Sequence, residues 1–233
     1  MWTNDEMQNK LGQIHNQDCL TFMKQVPDKY FDLVLADPPY NIGIDGGKGW
    51  DTIRNYENFI EDIFAQAKRI SQRQVFFFDY SYTKLFENLA EPSERFIWHR
   101  EGGFSGEWIK KAYEPFYVYG DIVNILKIPN QYAQTDRRLK AEKSISNVWS
   151  IPNLVGRKNE RVNHPTQKPL MLIGNILRMM TNKDSKVFDP VMGSGTTAVA
   201  CQSLGLDWCG CELDPDYVAI ANKRLEKVQG SLF

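Results

Sequence analysis

The feature that most constrains this 233-residue chain is an alternation. Short runs that are apolar at nearly every position are each followed by a segment with helical periodicity. Residues 31–36 (FDLVLA) form such a run, and a strand buried on both faces reads this way because neither face meets water. Within 54–70, Tyr56, Phe59, Ile60, Ile63, Phe64, Ala67 and Ile70 recur at three- and four-residue steps with charge on the other face, which predicts a helix. Residues 75–78 predict a second buried strand, 81–90 a helix ending before Pro92, and 96–98 and 116–119 two further strands. Beyond residue 163 the pattern resumes, with a helix over 169–180, a strand over 186–189, a helix over 195–204 stopped by Gly205, and a strand over 208–213. The last helix opens with Asp214 as N-cap and Pro215 at its first position, a preferred start. Strands alternating with helices predict an α/β fold with a largely parallel sheet.

Residues 121–163 break the alternation. They are polar, without strong periodicity, and carry eight Lys/Arg against four Asp/Glu. The chain therefore divides into 1–120, an insertion over 121–163, and 164–233, the outer parts being two halves of one domain. The formal net charge is −1, which excludes a uniformly basic nucleic-acid coat but not a local basic patch. Four cysteines without a Cys-x-x-Cys pair, and three histidines far apart, predict free thiols in a reducing, cytoplasmic setting and no structural zinc. No apolar run approaches the ~18 residues that would span a bilayer, and the N-terminus does not read as a secretory signal.

Two turns carry the chemistry. In residues 186–198, Asp189 and Pro190 lead into Gly193, Ser194, Gly195, Thr196 and Thr197, a strand–turn–helix in which glycine lets the backbone approach a ligand. The helix start offers free N–H groups, and Glu212, closing the next strand, can accept hydrogen bonds from ribose hydroxyls. Taken alone, Gly193-x-Gly195-x-x-Ala198 matches a dinucleotide fingerprint of low specificity, and an ordinary strand–helix turn would also read this way. The second turn, Asp37-Pro38-Pro39-Tyr40, follows the strand over 31–36. An acid, an outward carbonyl and an exposed aromatic at a strand end suit a planar base with an amino group, although Asp and Pro also build plain rigid turns.

Together these two motifs resemble the amino-methylating DNA methyltransferases of the β group, in which the catalytic motif precedes the cofactor motif. Three further segments are similar to the same family: His164-Pro165-Thr166-Gln167-Lys168-Pro169, Asn16-Gln17-Asp18-Cys19, and Gly210-Cys211-Glu212-Leu213-Asp214. Val191 stands where family members commonly have Phe. The resemblance implies a circularly permuted, Rossmann-like S-adenosylmethionine-dependent methyltransferase fold, with a mostly parallel seven-stranded sheet and a small target-recognition insertion. It implies catalysis by Asp37, Pro38, Pro39 and Tyr40. S-adenosylmethionine would be bound by Asp18, Cys19, His164, Thr166, Lys168, Asp189, Pro190, Gly193, Ser194, Gly195, Thr196, Thr197 and Glu212. The implied substrate is adenine N6 in double-stranded DNA, reached by base flipping.

Within the insertion, Arg137, Arg138, Lys140 and Lys143 form one basic cluster and Arg157, Lys158 and Arg161 another. Such residues contact phosphates, and solvated surface charge is the competing reading for each. Gln131, Gln134, Asn147 and Asn153 are candidates for reading adenine edges. Beyond DNA, the implied partners are a second subunit and a restriction endonuclease, with no membrane. Three other readings compete: an N4-cytosine enzyme, a nicotinamide oxidoreductase resting on the glycine fingerprint, and a DNA-binding regulator with a relic cofactor fold. The oxidoreductase leaves Asp-Pro-Pro-Tyr and the His164–Pro169 segment unexplained, and the intact Asp37, Tyr40, Gly193 and Gly195 argue against decay.

Overall fold

The computed structural model describes residues 1–43, 49, 51–100, 112–124, 145–154 and 159–228. In it the FDLVLA run is strand β2 (Phe31–Ala36), in the middle of a single sheet. β2 runs parallel to β3 (Ser71–Phe77) on one side and to β7 (Lys186–Asp189) on the other. The described strands give the order β1-β8-β7-β2-β3-β5-β4-β6, with β1 (Gln13–His15), β4 (Glu94–His99), β5 (Tyr113–Tyr119), β6 (Val148–Ser150) and β8 (Asp207–Cys211). Only β5 runs against its neighbours, so the sheet is mostly parallel, as expected.

Among the described residues the sheet has eight strands, where seven were expected. One of them, β6, comes from the polar stretch over 121–163 and pairs in parallel with β4. Its three residues are too few to show a period. Trp149 holds it in place: it is 1% exposed, packs 5.2 Å from Phe96 and 5.5 Å from Phe116, and donates its indole N–H to the Ser146 carbonyl.

Strand residues alternate between two apolar layers because successive side chains leave a strand on opposite faces. Leu33, Leu35, Val75, Phe77, Phe116 and Val118 join one core with helices α5 (Leu170–Met180) and α6 (Thr196–Leu204). Val34, Ala36, Phe76, Phe78, Tyr117 and Tyr119 join the other, with α2 (Cys19–Met23), α3 (Tyr56–Ile70) and α4 (Thr83–Leu89). α1 (Asn4–Gln8) is closed by a capping box between Thr3 and Glu6, and α7 (Pro215–Leu225) starts as expected at the Asp214 cap and Pro215.

Connections leave the β2–β7 boundary in opposite directions. From β2 the chain crosses through α3 to β3, and from β7 through α6 to β8. Such a reversal opens a crevice beyond the carboxyl ends of the two strands, where ligands of α/β sheets bind. Asp37 and Asp189 stand at those two ends.

Trp149→Ala is expected to lower unfolding free energy by about 3–5 kcal/mol, the usual cost of emptying a large aromatic site. Urea denaturation of the two proteins checks this, and a change below ~1 kcal/mol would mean that β6 is no part of the core.

Candidate active site

Beyond the carboxyl ends of β2 and β7 lies a cavity of about 600 Å³. It is lined by Asp37, Pro38, Pro39 and Tyr40 from the first turn and by Asp189 to Ser194, Thr196 and Thr197 from the second. Gln17, Asp18 and Cys19 close it beside β1, Glu212 to Asp214 beside β8, and His164, Thr166, Gln167 and Lys168 from the segment before α5. Five stretches that are far apart in sequence thus meet in one space.

The glycine turn is shaped by close packing. Gly193 (φ +52) lies against His164, so that a Cβ there would stand 3.0 Å from the imidazole Nε2. Gly195 (φ +79) caps α6, and a Cβ there would come 2.6 Å from the Cβ of Ala221 on α7. Gly210 lies in extended β8, where a Cβ would run into Met192 and the Asp189 carbonyl. Only glycine lets these segments approach each other as they do. Arg224, from α7, donates to the Ser194 carbonyl at 2.6 Å and reaches the Thr196 hydroxyl at 3.0 Å. Burial pushes its guanidinium down to about 10.

The acids differ in their surroundings. Asp18 caps α2, accepting from the Thr21 N–H and hydroxyl, each at 2.8 Å. Glu212 accepts from the Gly193 N–H at 2.7 Å and the Asp214 N–H at 2.8 Å, and burial still raises it. Asp189 is 3% exposed and accepts from the Val191 N–H at 2.9 Å. Burial pushes its carboxyl up to about 7, against the opposing pull of the Thr197 hydroxyl and the Val191 N–H. Burial likewise pushes the Cys19 thiol up to about 12, which makes it a packing group rather than a nucleophile.

Asp37 sits in a network that only the folded structure reveals. Both of its oxygens lie 2.7 Å from Lys168 Nζ, and Lys168 also lies 2.7 Å from Glu114 Oε1. The Tyr40 hydroxyl stands 2.7 Å from Asp37 Oδ1 and 2.6 Å from Glu114 Oε1. Tyr40 is therefore not the exposed aromatic expected from the sequence. It is 7% exposed because its hydroxyl is drawn inward between two carboxylates. Glu114, on β5, was not singled out from the sequence; the available signal is one acid in the otherwise apolar stretch 113–119. Arg100 stands 3.4 Å from the other Glu114 oxygen. After Tyr40 the backbone turns through Asn41 (φ +54), whose N–H donates to Asp51 at 2.6 Å together with that of Ile42 at 3.1 Å.

The insertion candidates fall differently. Gln131, Gln134, Arg137, Arg138, Lys140, Lys143, Arg157 and Lys158 lie outside the described residues. Arg161 is exposed, and Asn153 is half-buried. Asn147 donates its side-chain amide to the Arg95 carbonyl at 3.0 Å, an anchor for β6. The four cysteines are free and buried. Among the described residues no group of acids, histidines and cysteines could hold a metal ion, and no helix is long and apolar enough to cross a membrane.

Comparisons with known proteins bear on the family and the fold. A family model described as DNA methylase (N6_N4_Mtase) matches residues 31–223. The DNA adenine methyltransferase YhdJ of Escherichia coli (strain K12) is 30% identical over 94% of this chain and 84% of its own length. The Type II methyltransferase M2.MboI of Moraxella bovis is 25% identical over 96% of this chain and 90% of its own length. Among solved structures, the cytosine-N4-specific PvuII DNA methyltransferase has the same fold (TM-score 0.70, 18% identity, 94% of this chain and 91% of that one). So does the M1.HpyAVI–SAM complex (TM-score 0.66, 23% identity, 91% and 98%).

The raised Asp189 carboxyl makes stability depend on pH with a defined sign. A carboxyl that holds its proton more tightly when folded contributes stability that is complete below its ordinary value of 3.8 and is lost as pH rises through about 7. Asp189→Asn removes that loss. The variant should gain on the wild type by ~1 kcal/mol per pH unit across this window, and denaturant midpoints at pH 4.5, 6 and 8 check it. A stability difference independent of pH would refute the assignment.

Proposed function

This chain belongs to the N6/N4-type DNA methylase family, and on that premise we propose that it transfers a methyl group from S-adenosylmethionine to the N6 amino nitrogen of adenine in double-stranded DNA. The observation that carries this reading is the single cavity that Asp37-Pro38-Pro39-Tyr40 shares with the glycine turn. A base held at the first motif and a cofactor held at the second would react within one space. The choice of adenine is supported by the E. coli relative, which is named a DNA adenine methyltransferase. The Type II designation of the M. bovis relative supports a setting beside a restriction endonuclease.

The cavity's donor set fits the cofactor. S-adenosylmethionine carries two positive charges and one carboxylate, and Asp18, Asp189 and Glu212 line the space. Of the basic groups there, Lys168 is already paired with Asp37 and Glu114. We assign the adenine end to Asp18 and Cys19 and the ribose to Glu212. The methionine end falls to His164, Thr166, Asp189, Pro190 and the turn from Gly193 to Thr197. When bound, the cofactor supplies an electrophilic methyl group on sulfur.

The chain's own part is to orient and to accept hydrogen bonds. The amino lone pair of adenine is delocalised into the ring, so the nitrogen is a poor nucleophile. Asp37 and the Pro38 carbonyl, each accepting one amino hydrogen, draw the nitrogen toward tetrahedral geometry and release its lone pair. Positioning and electrostatics then supply most of the rate, with no covalent intermediate. The base reaches Asp37 only by leaving the duplex, and Tyr40, buried yet part of the cavity lining, is the residue assigned to stack on it. Arg161 and the basic residues of the insertion are assigned to DNA phosphates.

Incubating the protein with unmethylated duplex and S-adenosylmethionine, then analysing nucleosides by mass spectrometry, tests this. N6-methyladenine is the expected product. N4-methylcytosine would keep the site and overturn the base, and absence of both would overturn the reading. Asp37→Asn is expected to lower kcat by ~10²-fold or more while leaving affinity for S-adenosylhomocysteine unchanged. Comparable rates in the two proteins would remove Asp37 from the mechanism.

A further inference from the structure

The Lys168 ammonium poses a problem that the proposed function, on which this inference rests, leaves open. The carboxylate expected to receive the target amino group already has a partner. Lys168 is 5% exposed and stands 2.7 Å from each Asp37 oxygen. Burial opposes its charge, yet Asp37 and Glu114 together raise its affinity for a proton above that of an ordinary lysine. It therefore stays an ammonium. An ammonium taken out of water must keep a carboxylate, since an unpaired buried charge is strongly disfavoured.

Glu114 is the alternative partner. It is buried, and its Oε1 lies 2.7 Å from Nζ. The donors and acceptors do not match one to one. Nζ has three protons but four oxygens within 3.1 Å: both of Asp37, one of Glu114 and the Tyr40 hydroxyl. The Tyr40 hydroxyl has one proton and stands within 2.7 Å of both carboxylates. The two acids thus compete for the same donors, and moving donors from one to the other needs only a small shift of Nζ.

We propose that Lys168 is a positioning residue that bridges Asp37 and Glu114 in the ligand-free protein and is held by Glu114 alone when a target amino group takes Asp37, so that Glu114 supplies the counter-charge that makes the exchange possible. In this arrangement the Lys168 ammonium guards Asp37 against idle partners, and an incoming amine must outcompete it. Among the described residues Arg100, 3.4 Å from Glu114 Oε2, adds a second cation beside the two carboxylates.

The test is a double-mutant cycle on the full chain, read as kcat for DNA methylation and as affinity for S-adenosylhomocysteine. Glu114→Gln leaves Lys168 with Asp37 as its only carboxylate, so kcat falls by ~10-fold or more with cofactor affinity unchanged. Adding Lys168→Met removes the competitor together with its lost counter-charge, so the double variant recovers most of that loss. Lys168→Met alone leaves the two carboxylates around the Tyr40 hydroxyl without the ammonium between them, so kcat falls with affinity for S-adenosylhomocysteine unchanged. A double variant no faster than Glu114→Gln would overturn the exchange and make Lys168 a fixed support of Asp37. If the methionine variant does not fold, Lys168→Gln with Glu114→Gln asks the same question without charge. Failure of the function reading is separate: it shows as a wild-type protein that methylates no amino group, before any variant is compared.

Discussion

The parallel pairing of β2 with β7 is the constraint on which the rest of the molecule depends. Leu33 lies in register with Val187 and Val34 with Phe188, so the two strands end side by side and release Asp37 and Asp189 into the same crevice. Every other part of the site is referred to that junction. β8 continues the sheet beyond β7 and brings Glu212, and β1 continues it again and brings Asp18. On the far side, β3 and β5 carry Glu114 toward Asp37. Apolar side chains on both faces of β2, none more than 1% exposed from Leu33 to Ala36, make the junction rigid enough to aim polar groups.

Much of this arrangement was legible in the sequence because it rests on local signals. Strands buried on both faces announce themselves as apolar runs, and α7 was located by its Asp214 cap and Pro215. The two glycine- and proline-rich turns were visible because few residue types satisfy their backbone. β1 and β6 were not legible. Each is three residues long, and each becomes a strand only through an edge that a distant segment offers: β8 for Gln13–His15 and β4 for Val148–Ser150. The strand in Val148–Ser150 is decided by where Trp149 packs, a tertiary fact with no local period.

The polar side of the site was legible only as a list of residues. Asp37 and Lys168 were both singled out, one with the base and one with the cofactor, yet they are bonded to each other. Motif spacing says which residues reach a cavity, but not how their charges are shared once water is excluded. Burial lets a carboxylate on β5, outside either motif, take part in the environment of Asp37. It also draws Tyr40 inward, although a short loop after a strand suggests exposure.

The β2–β7 junction also dates the site in the life of the chain. The Lys186 N–H donates to Asp32 across 154 positions at 2.8 Å. A ribosome-bound chain can therefore assemble β2, α3 and β3 early, since these lie close together in sequence, while its crevice stays open on one flank until the last quarter emerges. Closing so long a loop is the slow, entropy-limited step of such topologies. Synthesis and competence are thereby separated, and a truncated product that has lost β7 lacks one wall of its pocket, however well its first half folds.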